Sequence, residues 1–209
     1  MLFIIPGFPF ITSGIDLAKL DMRSGMERLM YALIIILVAT MAAWIMALLL
    51  HLKPVDFIKM SMPVEMWILL RLIASFCGVF GFSVMFNSPA RLATMAALIG
   101  AVANTLRLEL VDLAGMPPAV AAFIGALTAG IFASLIKNKA GYPRISLTVP
   151  SIVIMVPGLY LYRGIYNLGM MSLSVAASWF AAAILIIAAL PLGLIFARIL
   201  TDRTFRYCT

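Results

Sequence analysis

Ionisable side chains are scarce in this sequence. Only 11% of its 209 residues are charged, and there is a single histidine, His51. A soluble domain is closer to a quarter charged and half apolar. One histidine leaves almost nothing from which to build a catalytic triad or a histidine-based metal site. The expectation is therefore a protein that is not an enzyme and holds no metal and no cofactor. No GxxxxGK[ST] loop is present, so the chain is not expected to hydrolyse nucleotide, and any pumping must draw on an ion gradient or a partner. The two cysteines, Cys77 and Cys208, lie far apart without CxxC spacing and read as unpaired thiols. The first residues lack the basic stretch of a signal peptide, and Pro6, Gly7 and Pro9 interrupt their short apolar run.

What is abundant is apolar residues, at 65% of the chain, with a mean hydropathy of +1.14. A soluble chain of this size has too little interior to hide so much apolar surface, so the excess is expected to face a lipid bilayer. The formal charge of +7 does not point to nucleic acid. Nucleic-acid readers cluster Lys and Arg on a water-facing element, whereas these cations are scattered between apolar runs, as in membrane-protein loops.

A helical span needs about 20 mostly apolar residues. Residues 29–50, 67–86, 92–106 and 114–136 meet or approach that length, the third being short but flanked by Arg91 and Arg107, which can snorkel outward. Pro117 and Pro118 stand where a helix start tolerates them. Residues 145–197 then run with one charge, Arg163, which is enough for two spans. Asn167 and the two glycines of 164–171 predict a turn between a fifth span at 145–162 and a sixth at 173–197. The fifth holds Pro150 and Pro157. A helix broken this way is tolerated in a bilayer only where protein or water satisfies the freed backbone groups.

Charge chooses between six spans and five. With six, ten basic residues (Lys19, Arg23, Arg28, Arg91, Lys137, Lys139, Arg144, Arg198, Arg203, Arg206) fall on one side and five (Lys53, Lys59, Arg71, Arg107, Arg163) on the other. A re-entrant fifth segment would erase that bias. The positive-inside rule favours an all-α, six-span membrane protein with both termini cytoplasmic.

Two segments resemble each other. IIPGFPFITSGI (4–15) aligns with MVPGLYLYRGI (155–165) through one single-residue gap. In each, Pro-Gly sits among apolar residues, Gly-Ile follows, and a long span comes next. The spans that follow would be the first and the sixth. An offset of five spans predicts that the copies run in opposite directions, and inverted repeats with broken helices mark transporters.

The candidate site residues follow from these breaks. Arg163 offers a fork for a substrate carboxylate or, with Tyr160, Tyr162 and Tyr166, marks an interfacial belt. Asp16 and Asp21, after the first Pro-Gly, are candidates for proton uptake or members of a solvated turn within reach of Lys19, Arg23 and Arg28. Asn104, inside the third span, either bonds a neighbouring helix or, with Arg107, meets substrate. Asn87-Ser88-Pro89 reads as a turn. Ala96 and Gly100, Gly125 and Ala129, and Ala126 and Gly130 are small pairs at four-residue spacing that let helices approach closely.

The segment PGFPFITSGIDLAKLDMRSGMERL followed by a long span resembles the end of the first half of threonine/serine exporter (ThrE) family proteins. FGFSVMFNSPARL and TVPSIVIMVPGLYLYRGI resemble that family's second half, and also YjjB, the small subunit of a two-component exporter associated with succinate. The resemblance covers nearly the whole chain. It implies residues 1–53 as the end of a first exporter half and 54–209 as a second, five-span half. It further implies a secondary antiporter for threonine and serine, or for small dicarboxylates, driven by protons. In the motifs, Pro6, Gly7, Asp16 and Asp21 match the first half, and Pro157, Gly158 and Arg163 the second. A complete exporter of this kind has about ten spans, so about four more are expected from another membrane subunit or chain, or the unit acts as a homo-oligomer. The alternative is a non-transporting membrane subunit that scaffolds a larger complex. Substrate is expected near mid-membrane against Pro157, Gly158 and Tyr160, with Pro6 and Gly7 opposite and Arg163 or Arg107 holding its carboxylate.

Overall fold

The computed structural model describes residues 6–51 and 62–202, so Lys53, Lys59, Arg203, Arg206, Cys208 and the boundary expected at 53/54 lie outside the described residues. The described residues are all-helical. Eight helices run α1 (Gly7–Ala18), α2 (Met22–Leu49), α3 (Val64–Met85), α4 (Ala90–Asp112), α5 (Pro118–Ala140), α6 (Arg144–Val153), α7 (Gly158–Gly169) and α8 (Leu173–Thr201). Five of them, α2, α3, α4, α5 and α8, are long and apolar enough to cross a bilayer, and α6 with α7 passes as a sixth when the pair is taken together. The chain is a multi-pass membrane protein.

Sequence chemistry sets the helix ends. Pro63, Pro89, Pro117 and Pro143 are the N-caps of α3, α4, α5 and α6. A proline there loses no intrahelical donor, and its fixed φ directs the chain into the first turn. Gly141 closes α5 at φ +72°, in the left-handed region that glycine enters without steric cost. Asn87 turns between α3 and α4 at φ +56°, as its place before Ser88-Pro89 predicts.

The outward faces of α2 and α3 are apolar, with Ile34, Leu37 and Val38 on α2 and Leu69 and Ile73 on α3 exposed. In water such surfaces would drive aggregation; against lipid chains they are at home. Small residues fill the inward faces. A methyl group added at Gly193 of α8 would stand 2.5 Å from the Phe123 carbonyl and 2.8 Å from Ala126 Cβ, and one at Gly130 of α5 would stand 2.5 Å from Ala197 Cβ. The small pairs of α5 thus do what their spacing predicts, and α8 answers with its own at Gly193 and Ala197. Hydroxyls that would be costly in lipid donate to their own helix: Thr12 Oγ1 to the Phe8 carbonyl at 2.9 Å, Ser134 Oγ to the Gly130 carbonyl at 2.8 Å, Ser151 Oγ to the Thr148 carbonyl at 2.7 Å.

Several expected boundaries are corrected. The first Pro-Gly opens a 12-residue helix, α1, where no helix was expected, and the turn expected across 164–171 falls at Met170–Ser172 because α7 continues to Gly169. The third span runs to Asp112 rather than stopping at 106. Its extra turn is held by charge pairing described below. The sixth runs on to Thr201 rather than stopping at 197, and carries Pro191 inside a continuous helix.

Candidate functional site

The break between α6 and α7 sits at the centre of the helix packing. Pro157 has no N–H, so the Val153 carbonyl loses its usual donor four residues on and instead accepts from Val156 N at 3.2 Å. Ile152 O accepts from Met155 N at 2.9 Å, and Val156 O from Gly158 N at 2.9 Å. These tight turns bend α7 by 45° from α6. The break is enclosed: Ser151, Ile152, Met155, Val156, Pro157 and Gly158 are all buried.

Glycines from four helices close on this one segment. A methyl group at Gly78 of α3 would lie 2.7 Å from Ile154 Cδ1, one at Gly100 of α4 2.8 Å from the Ser151 carbonyl, and one at Gly125 of α5 3.3 Å from Met155 Sδ. The fourth is Gly7 of α1, where a methyl would stand 3.1 Å from Val156 Cγ2 and 3.6 Å from the Val153 carbonyl. The two Pro-Gly motifs, 151 positions apart in the sequence, therefore meet in space. Both open a helix there. The first-turn N–H groups of Gly7 and Phe8, and of Leu159 and Tyr160, have no acceptor within their own helices, so the starts of α1 and α7 bring positive partial charge to the break, where the last carbonyls of α6 also lie.

The two motif regions also share backbone geometry. Pro6 (φ −75°, ψ 63°) matches Pro157 (φ −81°, ψ 56°), and both α1 and α7 have 12 residues. Leu20 and Met171 both take a left-handed φ, at 64° and 60°. Asp21 N donates to Asp16 O at 3.0 Å, and Ser172 N to Asn167 O at 2.9 Å. Every pair is 151 apart, so the correspondence has no gap, which corrects the one-residue gap of the sequence alignment. Gly14 answers to Ile165 rather than to Gly164, and the shared Gly-Ile is a coincidence of composition.

Arg107 approaches the junction from α4. A methyl at Gly125 would touch both Arg107 Cβ, at 3.2 Å, and Met155 Sδ, and Tyr160 lies within electrostatic reach of the guanidinium. Its Nη1 donates to Asn104 Oδ1 at 3.4 Å, while Nε is buried with no hydrogen-bond partner, as is Thr105 Oγ1 beside it. Asn104 Nδ2 donates to Ser75 Oγ of α3 at 2.9 Å, a bond between neighbouring helices. Buried polar atoms left without partners are uncommon in native proteins, and Arg107 borders the broken helix through Gly125.

The remaining candidates lie elsewhere. Arg163 stands five positions beyond Gly158 and stacks over the Trp179 ring at 4.8 Å, with Tyr160 edge-on to the same ring at 5.3 Å. Asp16 is about 14 Å along α1 from Gly7 by helical rise; it pairs with Arg28 at 2.8 Å and accepts from Ser24 Oγ at 3.2 Å. Asp21 caps α2 by accepting from Ser24 N at 3.3 Å.

One constellation escaped the sequence reading. Arg71 of α3 pairs with Glu109 at 2.7 Å and with Asp112, both on α4, and its guanidinium lies 5.3 Å over Trp67. The i,i+3 spacing of the carboxylates was visible, but their partner is 38 residues away.

Comparison with known proteins agrees with this architecture. The family model described as the threonine/serine exporter, ThrE, matches residues 71–200, more than half of the chain, and a second threonine/serine exporter model matches residues 1–50. No curated protein and no solved structure matches the chain. The first of these matches takes in α4 to α7 entire and most of α3 and α8, including Arg107 and the broken helix, and the second takes in the Pro-Gly helix that meets it, so the chain belongs to the threonine/serine exporter family.

Proposed function

We propose that the junction of the two Pro-Gly motifs is the substrate site of a proton-coupled secondary exporter for small amino acids, threonine and serine, or for small dicarboxylates. The observation that carries this reading is the approach of Gly7 to the Val153–Val156 break; in this reading the starts of α1 and α7 come together there, beside the end of α6. Converging helix N-termini attract a carboxylate through aligned N–H groups and the helix dipole. Half-helices arranged so at mid-membrane are how many secondary transporters hold anionic groups. Arg107, whose Cβ lies with Met155 Sδ against Gly125 beside the break, is the better clamp than Arg163, whose guanidinium stacks over Trp179. The substrate hydroxyl or second carboxylate would meet Thr105 and Tyr160.

In this reading the units beginning at Pro6 and Pro157 are inverted repeats. α6 and α7 together are long enough to cross a bilayer of about 30 Å, and a 45° bend keeps the chain moving forward rather than turning it back. Four crossings then lie between α2 and α8, which run opposite ways. Both termini would be cytoplasmic in a bacterial inner membrane. Asp16, tied to Arg28, supplies a carboxylate whose protonation would release that arginine. Asp21 is the weaker coupling candidate, since it serves as a cap. Further spans from a partner chain, or a second copy, would complete the pathway.

The test is flux. Purified protein in proteoliposomes, alone and with candidate companion spans, is given an imposed pH gradient and labelled threonine, serine or succinate. Gradient-dependent flux of at least one is expected. No flux of any of them in either preparation overturns the reading.

A further inference from the structure

A cavity of about 510 Å³ opens at the far end of α1 from the junction, among the ends of α1, α5 and α8 and the start of α6. Four cations line it, Lys19, Lys137, Arg144 and Arg198, against one carboxylate, Asp202. Asp202 stands 4.0 Å from Arg198 Nε, so its charge is already directed at one of the four. Arg144 is fixed: its Nη2 donates to the Gly130 carbonyl at 3.0 Å and its Nη1 to Thr201 Oγ1 at 3.2 Å. A guanidinium has five N–H donors, so donors remain on a half-buried cation that cannot swing away. The ten-residue helix α6 also begins here, with Arg144 and Ile145 at its first turn, adding the positive end of a helix dipole. The opposite wall is apolar, formed by Ile15, Leu194 and Ile195.

Gathering like charges around a cavity is unfavourable unless a counter-charge enters it. The volume is that of a small-molecule site. We propose that this cavity binds an anionic ligand through carboxylate or phosphate oxygens, with a short apolar portion of the ligand against the Ile15 and Leu194 wall. The site lies apart from the Pro-Gly junction and does not depend on the junction's being the transport site. Two sources offer this chemistry, an anionic lipid headgroup and a free small acid or phosphate.

The experiment is thermal unfolding of the purified full chain in a neutral maltoside detergent, with phosphatidylglycerol, phosphatidylcholine, inorganic phosphate or succinate, each at matched ionic strength in chloride. A ligand that binds only the folded state raises Tm saturably. The expected result is a rise with at least one of phosphatidylglycerol, phosphate and succinate that exceeds its phosphatidylcholine or chloride control. That rise is lost in the Lys19→Gln, Lys137→Gln double variant, whose residues make no ion pair shown here, and is kept in Arg91→Gln, an exposed cation outside the cavity. A rise with phosphatidylglycerol alone identifies the lipid source, and a rise with phosphate or succinate identifies a free anion. No rise above controls overturns the proposal. So does a rise that the double variant keeps, which would place the anion at the junction or elsewhere, or one that Arg91→Gln loses equally. Lys137→Glu, which reverses one charge at the rim, should abolish the rise if the double variant fails to fold, and its persistence there is equally contrary.

Discussion

Side chains that vanish do as much here as side chains that are present. Gly193 lets α8 lie against the backbone of α5, where a methyl would meet the Phe123 carbonyl at 2.5 Å and the Leu127 nitrogen at 3.0 Å. Backbone cannot move aside as a rotamer can, so Gly193→Ala should destabilise the folded protein by about 1–3 kcal/mol. A thermal or denaturant melt in detergent reads this, and an unchanged midpoint would show that the helices can separate without cost. Arg71 illustrates the opposite case, a cation admitted to a span because two carboxylates meet it. Arg71→Met leaves Glu109, only 16% exposed, without its partner, at a cost of about 1–3 kcal/mol. Pairing it with Glu109→Gln should recover part of that loss, a coupling of roughly 1 kcal/mol in a double-mutant cycle. Strict additivity of the two changes would mean that the pair is ornamental.

At the scale of elements, the broken helix is the part that departs from ordinary membrane packing. Pro157 separates α6 from α7 and, with Gly158, sets the helix start that faces Gly7. Pro157→Ala restores a backbone donor and lets α6 run on toward α7. It should lower flux by about tenfold or more, since displaced binding groups lose their alignment with substrate, while the melting midpoint stays within a few degrees. Unchanged flux would separate the break from transport. Much of this element was legible beforehand: prolines seven apart in an uncharged run announce a break, and Pro117-Pro118 and Asn87-Ser88-Pro89 announce helix limits. What was hidden is tertiary. The helix α1 is short, about 18 Å by helical rise, and its charged end masks it as a loop. The last turn of α4 reads as too polar for a span until Arg71, on another helix, neutralises Glu109 and Asp112. Composition likewise could not reveal that Gly78, Gly100 and Gly125, on three helices, all address residues 151–155. The offset of 151 between the two motifs needed backbone angles, because Gly-Ile drew the sequence alignment one residue out of register.

The described residues read as two like-shaped units, each a short Pro-Gly helix followed by a long one, with α3, α4, α5 and α6 between them. With α6–α7 crossing once, as proposed, the 86–89 and 141–143 turns share one face, and the 113–117 and 170–172 turns the other. In a background lacking Cys77 and Cys208, single cysteines at Ser88 and Gly141 should react with an impermeant thiol reagent from the same side, and those at Gly115 and Met171 from the opposite side. Labelling of Met171→Cys together with Gly141→Cys would make α6–α7 re-entrant and remove the inverted relation of the repeats. The central claim, a carboxylate held where two helices begin, has a more direct test. Purified protein is melted with L-threonine, L-serine, succinate and threoninol, the last keeping the amine and hydroxyls of threonine without its carboxylate. At least one of the three acids should raise Tm in a saturable way, threoninol should not, and Gly7→Leu, which forces side-chain atoms against Val153 and Val156, should abolish the rise. A rise with threoninol equal to that with threonine, or no rise with any acid, would contradict a carboxylate site at the Pro-Gly junction.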